Sequence, residues 1–210
     1  MALLAPDSAR MEQLIAERLI NDGDLKNATV HFRKALEINS KLAGVHFELA
    51  ESLMEGLPND PATQKEASFE LEAATHVDGD SSKIECECGR IAMLRSDLAS
   101  AAAHYQRAYQ LSPGDPQVQI GLADLLRVQN KPEEAAKYLR MAVASDPLNA
   151  DAHYKLSQLD KQLHLEAEQK KELQLYLDIR ASKDKIQHLY QQMKPQLGSE
   201  STKVPSDGKP

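Results

Sequence analysis

Cys86 and Cys88 flank a single glutamate, Glu87, and seven histidines are scattered along the 210-residue chain. Those are the side chains that could bind a metal, run redox chemistry or shuttle protons. A zinc site calls for ligand pairs separated by roughly two to four residues, with a second pair elsewhere. No second cysteine pair exists in this sequence. Two positions apart on a helix, the two thiols point to different faces, which disfavours a bridge between them. Cys88 reads as a compact core hydrophobe and Cys86 as partly exposed. His31 and His104 share one position of an internal repeat, and His46 and His153 share another, so duplication explains their spacing. HExxH, GxSxG and Gly-rich phosphate-loop patterns are all missing from the sequence. A non-catalytic protein with no cofactor and no metal site is expected.

The elements that carry these residues follow from the repeat. The chain aligns with itself at a shift of 34 residues: Ile15 and Ala16 recur as Leu49 and Ala50, Ala101, Ala108 and Pro113 as Ala135, Ala142 and Pro147, and Leu122 as Leu156. Each unit holds two amphipathic segments of about 14 residues around a turn such as Asn21-Asp22-Gly23-Asp24 or Gln129-Asn130-Lys131-Pro132. Aromatic residues make up 4% of the chain, charged residues 27%, and tryptophan is absent, a composition suited to helices packed through small side chains. The expected fold is all-α, a solenoid in which each hairpin packs on its neighbours.

The pattern resembles the tetratricopeptide repeat. Unit one (9–42) offers Ile15, Ala16, Gly23, Ala28, Phe32 and Ala35; unit three (82–115) offers Cys88, Gly89, Asp97, Ala101, Tyr105, Ala108 and Pro113. Unit four (116–149) offers Leu122, Ala123, Ala135, Leu139, Ala142 and Pro147, with Asp115 capping a helix that opens on Pro116. Unit two (43–81) keeps its phase through Leu53, but Ala67, Leu71 and Ala74 arrive five residues late, which predicts a bulging loop over 55–61. Unit five (150–180) begins with Ala152, Tyr154 and Leu156 but carries Gln169 where alanine is expected. The resemblance implies a right-handed α-solenoid of about five hairpins, with residues 1–8 as a lead-in. A capping helix is expected over 181–195, stopped by Pro195, and a disordered tail over 196–210.

The same resemblance implies a concave groove lined by the first helix of each hairpin. Its candidate partner-binding residues are Gln13, Glu17, Phe47, Glu51, Arg90, Ile120, Asp124, Arg127, Tyr154 and Lys155, with Phe47, Ile120 and Tyr154 as apolar anchors. Glu17, Glu48 and Glu87 stand where a carboxylate-clamp repeat would need cations or amides, which argues against capture of a chain-terminal carboxylate. Between residues 43 and 82 nine carboxylates face one lysine, so a protein or peptide partner with a basic segment fits, whereas solubility alone also accounts for such charge. A net charge of -7 argues against nucleic acid. No run of residues is long and apolar enough to enter a membrane, and MALLAPDSAR lacks the features of a signal peptide. The sequence as given reads as cytoplasmic, or as secreted or periplasmic if it is a module of a longer chain. Ile186, Leu189, Tyr190 and Met193 form a helical stripe that serves either as a cap on unit five or as a seam for self-association. The function expected is a protein-interaction scaffold; the alternatives are a chaperone for an exported protein and a structural or oligomerising module.

Overall fold

The computed structural model describes residues 6–200, with side chains of 8–190, 192 and 193. Ten helices pair as five antiparallel hairpins among the described residues: α1 (Pro6–Asn21) with α2 (Leu25–Ile38), α3 (Val45–Gly56) with α4 (Pro61–Asp78), α5 (Ser82–Leu94) with α6 (Leu98–Leu111), α7 (Pro116–Val128) with α8 (Pro132–Ser145), and α9 (Ala150–Gln162) with α10 (Glu166–Glu200). Successive hairpins stack into a right-handed α-solenoid. The stacking works because the small positions of the repeat are filled: Ala28, Ala67, Ala101 and Ala135, and again Ala35, Ala74, Ala108 and Ala142, are all fully buried. Alanine at these points lets helix backbones approach closely without opening a void.

The turn between paired helices is built alike in four hairpins. Gly23, Ser96, Asn130 and His164 occupy one repeat position and all have φ near +60° to +82°. In each, the amides of that residue and the next bond back to the end of the first helix, as in Gly23 to Ile20 and Asp24 to Leu19. Glycine adopts this left-handed conformation without strain, and the other three residues carry a cost for it.

Unit two differs, and not as the sequence predicts. No loop bulges over 55–61. Against the repeat phase, the five additional residues become three extra positions at the start of α4, one at the end of α3 and one in the connecting loop. Asp60 makes this possible: its carboxylate accepts from the Thr63 amide and hydroxyl, both at 2.7 Å, and Pro61 opens the helix where no amide is needed.

Four further expectations are corrected. Helix α1 already begins at Pro6, inside the anticipated lead-in. Pro195 does not stop the last helix; α10 runs on to Glu200, because a proline costs one amide bond and crowds one turn, which bends a helix without having to end it. Residues 196–200 are therefore helical rather than disordered, while 1–5 and 201–210 lie outside the described residues. The stripe of Ile186, Leu189, Tyr190 and Met193 is not buried as a cap on unit five; all four side chains are exposed.

Each hairpin is tied internally at one repeat position. Glu12, His46, Glu85, Gln119 and His153 are equivalent in the first helices, and His31, Glu70, His104, Tyr138 and Glu172 face them from the second. His31 Nδ1 meets Glu12 at 2.5 Å, His46 meets Glu70 at 2.6 Å, His104 meets Glu85 at 2.7 Å and His153 meets Glu172 at 2.6 Å. The histidine comes from the second helix in hairpins 1 and 3 and from the first helix in hairpins 2 and 5. In the latter pair, Nε2 also faces a backbone carbonyl six residues upstream, Ser40 at 2.9 Å and Pro147 at 3.2 Å. Gln119 reaches the corresponding Pro113 carbonyl at 2.7 Å.

The concave groove as candidate functional site

The first helices α3, α5, α7 and α9 line a cavity of about 620 Å³ on the concave side. Its apolar floor comprises Phe47, Ile120 and Tyr105, the last lying between Gly89 and Gly121. A Cβ added at Gly121 would stand 2.3 Å from the Tyr105 ring, and one at Gly89 2.8 Å, so these glycines are what let the aromatic ring form the floor. The ring's depth pushes the Tyr105 phenol well above its ordinary range.

Charge is arranged unevenly around that floor. Six carboxylates (Glu51, Glu55, Glu87, Asp115, Asp124 and Asp151) face three cations, Lys83, Arg90 and Lys155. Glu87 is held by Arg90 at 2.5 Å. Lys155 bridges two helices, at 2.6 Å from Asp124 and 3.1 Å from Asp151. Asp115 is committed to its helix cap on the Gln117 amide. Glu51 and Glu55 enter no ion pair among the described residues. Burial against the groove wall raises the Glu51 carboxyl above its usual range, and repulsion from Glu87 and then Glu55 adds to the effect.

Farther along, between α7 and α9, a smaller pocket of about 220 Å³ is lined by Ala123, Leu139 and Leu159, with Asp124, Arg127, Tyr154 and Lys155 at its edge. Tyr154 also packs on Tyr176 of α10, ring centroids 5.1 Å apart.

Phe47, Glu51, Arg90, Ile120, Asp124 and Lys155 thus come together in one cavity, with Arg127 and Tyr154 in the adjoining pocket. The N-terminal pair does not join them. Gln13 is 3% exposed, accepting from Arg10 and donating to Glu48 across to α3, because an amide between two charged partners satisfies both. Glu17 is half-buried beside Glu48 and lines neither cavity. Ile120 is buried to 4% exposure, so it forms floor rather than a projecting anchor.

Neither thiol is poised for chemistry. Burial pushes Cys86 up to about 12 and Cys88 to about 11, far from the thiolate range. Cys86 lines the groove while Cys88 packs on the core of the first hairpins. Among the described residues no group of three or more His, Cys, Asp or Glu could hold a metal, and no helix is long and apolar enough to cross a membrane. The groove also contains residues that the sequence reading did not place in it, Tyr105, Gly121 and Glu55; the glycines at 89 and 121, facing the aromatic position of the repeat, were the available signal.

Residues 92–159 match the sequence model of the tetratricopeptide repeat. No curated protein sequence matches the chain. Among solved structures, a Pseudomonas aeruginosa protein described as pilF is 18% identical, with TM-score 0.67 over 82% of this chain and 76% of its own. A thermophilic tetratricopeptide protein of Thermus thermophilus, TTC0263, is 12% identical, with TM-score 0.70 over 83% and 96%. YrrB, described as having an unusual peptide-binding site, is 19% identical, with TM-score 0.52 over 86% and 90%. At these identities the structural likeness speaks for the fold alone. Residues 92–159 thus carry the sequence pattern of the tetratricopeptide repeat, and the five hairpins together have the solenoid fold of that repeat.

Proposed function

We propose that this protein is a non-catalytic interaction scaffold whose concave groove binds a protein segment carrying basic residues. The observation that carries the reading is the excess of carboxylates over cations around an apolar floor, with Glu51 and Glu55 in no ion pair among the described residues and burial and like charge outweighing the pull of Lys83 and Arg90 on Glu51. A lysine or arginine entering between them relieves their mutual repulsion, while apolar neighbours of that residue settle on Phe47 and Tyr105. Charges at the groove's edge would set approach rate and register, and the floor most of the affinity.

The test is affinity capture from native extract with the wild-type chain and with a variant carrying Phe47→Ala, Glu51→Lys, Arg90→Glu and Tyr154→Ala, after circular dichroism has shown equal helicity. A protein captured by the wild type alone, and competed by its own basic segment as a synthetic peptide, supports groove binding. Identical captures would remove the groove as the working surface.

A further inference from the structure

The first hairpin leaves open a face that every later hairpin covers. Met11 is equivalent to Val45, Ile84, Val118 and Ala152, all buried, yet Met11 is 58% exposed. Ile15 is equivalent to Leu49, Leu122 and Leu156, also buried, yet stands 37% exposed. In hairpins 2 to 5 the helix that covers these positions is the second helix of the preceding hairpin, so the open face of α1 is shaped to take an amphipathic helix.

Among the described residues, the distal part of α10 is such a stretch without a partner. Ile179 is the last buried side chain described in α10; from Ala181 to Tyr190 every side chain is exposed. Ile186, Leu189, Tyr190 and Met193 line one side of this free stretch. From Ile179 to Met193 the helix advances about 21 Å at its usual rise per residue.

We propose that this distal stretch of α10 docks along the open face of α1 in the same chain, setting Ile186, Leu189 and Tyr190 against Met11, Leu14 and Ile15.

Two observations select this occupant over a second copy stacked end to end. At the far end of the array, Tyr176 occupies the position that is fully buried alanine in the four preceding hairpins, and Gln169 replaces the other alanine. A tyrosine there blocks the close approach that hairpin stacking needs, so the α1 of another copy cannot continue the array. At the near end, Tyr190 lies within electrostatic range of Arg18, a minor influence on its guanidinium behind Asp22. Arg18 lies on the same side of α1 as Met11 and Ile15, one turn farther along.

The experiment is a cysteine pair. In a Cys86→Ser, Cys88→Ser background, Leu14→Cys and Leu189→Cys are introduced together; both parent leucines are exposed, and circular dichroism checks that the helices persist. Mild oxidation at low micromolar concentration is expected to give an intramolecular disulfide, seen as a thiol-reversible gain in gel mobility at monomer mass. Absence of a cross-link, or disulfide-linked dimers as the main product, would overturn the proposal. In the otherwise native chain, Ile186→Asp with Leu189→Asp should speed amide exchange over residues 11–18 on the order of tenfold. Unchanged exchange there would overturn it equally.

Discussion

Hairpins 4 and 5 carry different side chains at the same tie point. In hairpin 5, His153 spans from Glu172 at 2.6 Å to the Pro147 carbonyl at 3.2 Å, with the His153 and Glu172 side chains only 6% and 12% exposed. In hairpin 4, Gln119 keeps the link to the upstream carbonyl, but Tyr138 replaces the acidic partner and turns to Tyr109, ring centroids 5.9 Å apart. The Gln119 side-chain oxygen is left buried with no donor. The fold therefore does not depend on any one polar tie, since both hairpins keep the same turn geometry, at Asn130 and His164. What the tie adds is a fixed relation between the two helices of a hairpin, where an unmet buried polar atom otherwise carries a standing cost.

The sharpest way to break this contrast is to remove the histidine. His153→Ala strands Glu172, which is 12% exposed as a side chain, and should cost about 3 kcal/mol, the scale of breaking a buried pair. His31→Ala disrupts a tie whose side chains are 24% and 25% exposed, and water can replace the lost partner, so the cost should be about 1 kcal/mol. Urea denaturation of both variants checks this. Equal losses would mean that burial does not set the worth of the tie.

These ties show where the sequence was readable and where it was not. The repeat phase placed Ala28, Ala101, Ala135 and their partners correctly, since close helix contacts admit few residue types. The pairing of His31 with His104, and of His46 with His153, was visible as repetition, yet its cause lay in carboxylates 19 residues away: Glu12 and His31, Glu85 and His104, His153 and Glu172. In unit two the separation becomes 24, because the five extra residues lie between His46 and Glu70. Spacing across a hairpin, not along a helix, was the missing signal. Gln13 was misplaced for a related reason. An amide at a groove-facing phase reads as exposed, and only the Glu48 carboxylate on the next hairpin turns it inward.

Restoring the tie in hairpin 4 sharpens the comparison from the other side. Gln119→His with Tyr138→Glu recreates the arrangement of hairpin 5 and removes the buried oxygen now left without a donor. The double variant should gain about 1 kcal/mol, the net worth of a hydrogen bond between well-placed partners. Losing the Tyr138 ring from its contact with Tyr109 works against it, so each single variant should be less stable than the wild type. A double-mutant cycle by thermal denaturation separates the two effects. Additive losses would show that the backbone of hairpin 4 holds the two positions too far apart to pair.

The smallest effect concerns the start of the second helix. Asp24 and Asp97 cap α2 and α6, and at the same repeat position hairpin 4 has Lys131, whose side chain caps nothing. The Asp24 carboxyl is held below its ordinary range by the Asn27 side chain and then the Asn27 amide, and Asp97 likewise by the Ser100 hydroxyl and amide. A carboxyl whose folded range is depressed contributes stability above its ordinary range, and that contribution is lost as pH falls through the depressed one. Lys131→Asp should therefore stabilise hairpin 4 at neutral pH by giving α8 an acceptor and replacing a positive charge at the positive end of the helix dipole. The advantage should fade on acidification to about pH 3, below the ordinary carboxylate range. Denaturation midpoints of wild type and variant at the two pH values decide it. A gain that persists in acid would assign the effect to removal of the lysine, leaving no part for the cap.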